Sequence, residues 1–244
     1  MPCDLQPILV SFGFLIINVI ILLIILYFNG RTDSKTTPSL PLIRGIKKEE
    51  GFLDASNILN MEFNYACTTA SEAMNDRHTM INYYLLVTGV VASGTVAVLA
   101  KDSKLPEFTA TVLLWLLCCV GWFYFLKLIR LRQAWHDSLL TMNRIKEFYI
   151  LHAKDFDYEV LSNAFLWKTQ TLPPPDKPWT LFFFSAMLIG FLDSAAYVAG
   201  EILISPEVTK PLDIGVLTLF GLVFFAFHAW LYFAFLKSKP NIRV

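Results

Sequence analysis

Apolar and polar positions in this chain fall into long blocks instead of alternating singly. Residues 8–28 run for 21 positions without a formal charge, with only Ser11 and Asn18 as polar interruptions. Between Arg77 and Lys101 lie 23 residues free of Asp, Glu, Lys and Arg, and between Glu107 and Lys127 lie 19. A further 23 separate Asp213 from Lys237, broken only by His228. A fifth apolar stretch, about 179–204, contains Asp193 and Glu201. Roughly 20 apolar residues cross the ~30 Å hydrocarbon layer as a helix. Any one span could be a buried core helix, but five in so short a chain predict an all-α, polytopic membrane protein with about five transmembrane helices.

A different pattern flanks the second and third spans. Leu59, Phe63, Ala66, Ala70, Met74 and Ile81 recur at steps of three and four or their multiples, and so do Leu128, Leu131, Trp135, Leu139, Met142, Ile145 and Tyr149. That period marks amphipathic helices that pair. It predicts cytoplasmic helical extensions of both spans, about 25–35 Å long at 1.5 Å per residue. Trp135 is placed on the packed seam, while Arg130, Arg132 and Arg144 are expected off it. A shorter helix is expected over 155–168, ended by Pro173-Pro174-Pro175, a stiff spacer into the fourth span.

These blocks divide the chain into five parts. They are an N-terminal transmembrane anchor (1–30), a cytoplasmic linker (31–51) and a helical stalk with a transmembrane hairpin (52–153). A cytoplasmic helix and proline spacer (154–178) and a second hairpin with a basic tail (179–244) follow. The linker reading rests on Thr36-Thr37-Pro38, Pro41, Gly45 and Gly51, which punctuate any helix. The first span reads as an uncleaved anchor, because Asp4 replaces the usual basic flank and no small-residue cleavage pattern follows it.

Composition agrees with a membrane class: 55% of residues are hydrophobic and 16% charged, against roughly a quarter charged in soluble domains. Net charge is zero, so nothing points to a nucleic-acid partner. The placement of the 20 basic residues is more informative. Seventeen follow the first span, the third span or the fifth, and only Lys101, Lys104 and Lys210 fall on the other side. Basic residues mark the cytoplasmic side, which places the N-terminus outside and the C-terminus in the cytoplasm of an inner (cell) membrane protein.

Polar groups inside the spans are the candidate functional residues. Asp193 sits near mid-span, where an acidic residue costs about 2.5–3.5 kcal/mol on insertion scales. Steps of four place Ser185, Asp193, Tyr197 and Glu201 on one face, and the antiparallel fifth span brings His228 within a turn of Asp193. The two could clamp the helices together or line an ion path, and the small number of such groups favours the clamp. Glu201 is expected near enough to the outer surface to be partly hydrated. Gly89 and Ser93, four apart, permit close helix packing.

Catalytic chemistry has no carrier here. There is no glycine-rich phosphate loop, no His-Glu-x-x-His and no nucleophile elbow. The four histidines and four cysteines show neither metal-ligand nor disulfide spacing. We expect no enzyme activity, no catalytic residue, no cofactor and no metal. The partner expected from the residues is the lipid bilayer, with no direct nucleic acid.

The stretch from about Glu62 to Tyr149 carries Asp76-Arg77, then Asn82-Tyr83-Tyr84, then basic Lys127, Arg130 and Arg132, and then Asn143-Arg144-Ile145-Lys146-Glu147-Phe148-Tyr149. This resembles the SLATT family, two-helix membrane modules of prokaryotic antiviral defence systems, whose plan is helix–span–span–helix. The extra first span and second hairpin look more like the four-helix accessory proteins beside CRISPR and adenosine-deaminase defence operons. The resemblance implies a membrane effector or accessory protein that forms a homo-oligomer and perturbs or permeabilises the inner membrane, as a pore, when a cytoplasmic defence partner signals. Alternatives are a small ion channel or transporter using the Asp193 and His228 face, or a membrane scaffold recruiting a soluble defence enzyme.

Cysteine labelling of intact cells tests the orientation. Cysteines introduced at Ser103 and Thr209 are expected to react with an impermeant reagent, and those at Thr36 and Ser162 are not. Labelling of position 162 from outside would reverse the topology.

Overall fold

The computed structural model describes residues 55–100, 108–152, 172–204 and 211–237, all within one compact unit, Asp54–Val244. The anchor at 1–30, the linker at 31–51 and the helix expected over 155–168 lie outside the described residues. What is described is four α-helices: α1 Ala55–Leu99, α2 Phe108–His152, α3 Leu181–Ile204 and α4 Pro211–Leu236. All four are long and apolar enough to cross a membrane.

Local sequence explains the boundaries. Neither α1 nor α2 contains a proline, and each runs 45 residues, about 68 Å at 1.5 Å per residue. That is roughly twice the ~30 Å hydrocarbon layer. α3 starts at an N-cap, where Thr180 Oγ1 accepts from the Phe183 N–H at 3.2 Å. Trp179, just before the cap, has a left-handed φ of 63°, a strain of roughly 1–3 kcal/mol. Its ring is 82% exposed and stands edge-on to Phe184 at 5.7 Å. α4 begins on Pro211, whose fixed φ suits a first helical turn.

α1 and α2 lie antiparallel along most of their length, α3 packs on α2, and α4 packs on α3. One register holds from end to end. Cys67 Sγ meets Met142 Sδ at 3.1 Å, the Tyr84 and Tyr124 rings lie 5.5 Å apart, and Gly94 faces Leu113. At the polar end, Ala66, Ala70 and Met142 are buried with Phe63, Trp135 and Leu139 packed against them. The Tyr149 hydroxyl donates to the Ser56 carbonyl at 3.2 Å. The α1 seam runs through Ala66, Ala70, Ala73, Arg77, Met80 and Tyr84. Met74, expected on the seam, is 40% exposed.

Arg132 departs most from expectation. It does not face away: it is 3% exposed and donates from Nε to the Pro175 carbonyl at 3.0 Å and from Nη2 to that of Pro174 at 3.4 Å. Its guanidinium lies 4.5 Å from the Trp135 ring centroid and 5.4 Å from that of Phe182. Arg77, 2% exposed, approaches the same Phe182 ring from α1 at 5.0 Å. Two paired helices alone would leave Arg132 on an outer face, and a third element covers it. The residues before α3 fold back on α2, where the Pro174 carbonyl also accepts from the Lys177 N–H at 3.1 Å and Arg132 serves the Pro175 carbonyl. The proline run is therefore docked on α2 and is not a free spacer. Nearby, Gln133 Nε2 donates to the Phe235 carbonyl at 3.1 Å, tying α2 to the end of α4.

Arg132→Glu is expected to lower stability by about 2–3 kcal/mol, since hydrogen bonds from a charged donor are lost and a carboxylate faces two carbonyls. Arg144→Glu, at an exposed position, is expected to stay within about 0.5 kcal/mol. Detergent-solubilised thermal unfolding of both variants checks the contrast, and equal melting points would remove Arg132 from the joint.

Candidate functional site

Each helix contributes to one buried polar cluster in the apolar part of the bundle. Tyr84 of α1, Asp193 of α3 and His228 of α4 all have zero solvent exposure. The Tyr84 hydroxyl donates to Asp193 Oδ1 at 2.6 Å, and His228 Nε2 stands 3.6 Å from Asp193 Oδ2. α2 adds the Cys118 thiol, which donates to the Asp193 backbone carbonyl at 3.3 Å.

Hydrogen-bond chemistry fixes much of the protonation pattern. His228 Nδ1 lies 3.0 Å from the Phe224 carbonyl, which can only accept, so Nδ1 carries a proton and Nε2 faces Asp193. At 3.6 Å Nε2 and Oδ2 are too far apart for a hydrogen bond, but a single further proton on either of them leaves the pair neutral overall. That state avoids the several kcal/mol cost of an uncompensated buried charge. The walls are aromatic. Trp122 stacks on the imidazole at 4.2 Å and 23°, while Phe125 and Phe224 stand edge-on at 5.0 and 4.9 Å.

Two glycines make room for the pair. A Cβ on Gly121 of α2 would collide with the Asp193 carboxylate, and one on Gly190 of α3 would come within 2.9 Å of the His228 Cβ. Helix α2 can thus approach the carboxylate only because position 121 has no side chain. Helices α3 and α4 meet at Gly190 for the same reason.

The residues singled out from sequence divide accordingly. Asp193 and His228 come together. Glu201 does not join them: it lies two turns along α3 and is 4% exposed, so the expected hydration is not found. Its neighbour Gly200 admits the Trp115 indole, whose Nε1 would lie 2.9 Å from a Cβ there. Among the described residues, nothing packs on Gly89 or Ser93. Both are exposed, nothing lies within 4 Å of a Gly89 Cβ, and Ser93 Oγ donates back to the Gly89 carbonyl at 2.8 Å. The close approaches fall at Gly121, Gly190, Gly200 and Gly221 instead. Trp135 lies at the polar end, half-buried between α1 and Phe182, away from the cluster.

Sequence reasoning missed Tyr84, Trp122 and the two glycines. Tyr84 had a signal in its depth: it lies in the second apolar span, where a hydroxyl needs a partner. Among the described residues, no three His, Cys, Asp or Glu side chains are grouped to hold a metal. The cluster can hold helices together and can keep a proton, and Tyr84, Asp193 and His228 are closed to solvent among the described residues. No family model, no curated protein and no solved structure matches the chain.

Tyr84→Phe is expected to cost about 0.6 kcal/mol, and no more than ~1.7, the range for single hydrogen bonds between membrane helices. Gly121→Ala is expected to cost more, about 1–3 kcal/mol, because the added methyl drives into the carboxylate. Unfolding titrations in mixed micelles would rank them, and the reverse order would mean that Gly121 is not what admits Asp193.

Proposed function

We propose that this chain is a multi-pass inner-membrane effector or accessory protein of a prokaryotic antiviral defence system. In this reading it has no catalytic activity of its own and acts by assembling with copies of itself and perturbing the bilayer. Its N-terminus is outside and its C-terminus in the cytoplasm, so the polar halves of α1 and α2 form a cytoplasmic stalk. A cytoplasmic defence partner would deliver the signal there.

The observation that carries the reading is the unbroken α1–α2 pair. Two 45-residue helices keep one register from the polar end into the apolar span, which is the helix–span–span–helix plan of the SLATT resemblance. A force applied at the polar end reaches the membrane segment without a hinge. Assembly is supported by the outer side of α1, where Gly89, Ser93 and Ala97 are all exposed at the spacing that lets membrane helices approach closely.

The runner-up is a channel or transporter working through Asp193 and His228. Zero exposure of both favours the clamp over a conduit within one copy. In this reading any pore lies between copies, along α1.

The test measures flux and oligomer size on the same reconstituted protein. A Gly89→Leu/Ser93→Leu double variant is expected to shift the protein toward monomer and to lose dye release, with its melting point unchanged because, among the described residues, nothing touches a Gly89 Cβ. Asp193→Asn is expected to keep both oligomer and release. Loss of flux in Asp193→Asn with an intact oligomer would promote the conduit and sink the assembly-face reading.

A further inference from the structure

A cleft of about 270 Å3 opens between α1 and α2 at the end of their apolar spans. Its lining includes Asp76, Thr79 and Tyr83 of α1 and Phe123, Tyr124 and Lys127 of α2. Asp76 and Lys127 are the last acidic and first basic residues bordering the charge-free stretches at this end, apart from the buried Arg77. Both are exposed. No hydrogen bond or ion pair joins them in the described residues. Two opposite charges share one cleft and leave each other unpaired.

The helix register explains why. With Tyr84 beside Tyr124 and Gly94 beside Leu113, Lys127 lies level with about residue 81 of α1. Asp76 is then about five residues further from the apolar span, or ~7.5 Å along the axis. Moving outward from the bilayer, the cleft therefore presents Phe123, Tyr124 and Tyr83, then Lys127 and Thr79, then Asp76. A glycerophospholipid with an amino headgroup has the same order: acyl chains, phosphate, ammonium.

We propose that this cleft binds a bilayer phospholipid with a phosphoethanolamine headgroup. Its phosphate lies on Lys127 and the Thr79 hydroxyl, its ammonium on the Asp76 carboxylate, and its upper acyl segment on the three aromatic rings. A primary ammonium donates hydrogen bonds to Asp76, which a quaternary one cannot. An anionic glycerol headgroup would satisfy Lys127 and leave Asp76 facing like charge. The cleft is smaller than the roughly 300–1,000 Å3 of whole-ligand pockets, as suits a site that holds a headgroup and leaves the chains in the bilayer. This inference rests on the membrane-spanning reading alone and is independent of assembly or defence.

The test uses the full-length chain, purified in detergent as a monomer and titrated separately with dioleoyl phosphatidylethanolamine, phosphatidylcholine and phosphatidylglycerol, with retained lipid counted by native mass spectrometry. The ethanolamine lipid is expected to be retained about fivefold better than either other lipid, the worth of one interfacial charge pair near 1 kcal/mol. Asp76→Asn should remove that preference, lowering retention of the ethanolamine lipid and raising that of phosphatidylglycerol as the like charge disappears, and Lys127→Gln should lower retention of all three. Both positions are exposed, and unchanged melting points would show that the fold survives. Equal retention of the three lipids by the unmodified chain would overturn the proposal, as would a preference that persists in Asp76→Asn. Because a monomer is measured, failure of the assembly reading would not affect the outcome.

Discussion

The fold turns on the requirement that one buried carboxylate be satisfied where no water can reach it. Asp193 has zero exposure, and its oxygens find a phenol from α1 and an imidazole from α4, while α2 closes over it through Gly121. An aspartate alone at that depth would cost about 2.5–3.5 kcal/mol. Shared with His228 as a neutral pair and bonded to Tyr84, it becomes the point where all four helices meet. Apolar contacts among membrane helices do not specify partners in this way, because lipid competes for them equally. The polar cluster and its two glycines fix which helix faces which, and at what depth.

A second joint lies about three turns away, where the apolar spans give way to the polar halves of α1 and α2. Phe182 is approached by the guanidinium of Arg77 from one helix and of Arg132 from the other, and Arg132 also binds the proline carbonyls that lead into α3. Guanidinium groups suit this position because they stack on aromatic faces while donating in plane. Together the two joints couple the long α1–α2 pair to the second hairpin at two depths. Under the proposed function, a signal received on the polar halves cannot be absorbed by bending and is passed to the bundle as a whole.

The outside of the bundle has a separate chemistry. Tyr83, Leu86, Val90 and Val96 of α1 and Leu219, Phe220, Leu222 and Val223 of α4 are exposed, as lipid-facing positions should be. Against this apolar background, the small-residue row through Gly89 and the opposite charges at Asp76 and Lys127 stand out as places for a neighbouring helix and a headgroup. The inner cluster turns Tyr84, Asp193 and His228 toward one another. The proposed function therefore rests on these outer features and on the stalk.

Sequence alone determined the all-helical class, four of the apolar helices now described, and the pairing of Asp193 with His228. Apolar length and periodicity of 3.6 are local properties, and a lone intramembrane acid leaves few partners at its depth. Tertiary structure decided the rest. It made Tyr84 the third member of the cluster, placed the close contacts at Gly121 and Gly190 and not at Gly89, put Ala73 on the seam in place of Met74, and buried Arg132 under a proline turn. Each of these depends on how one helix packs against another. That packing is set by which surfaces fit, a condition on elements far apart in the chain that the periodicity of a single helix does not contain.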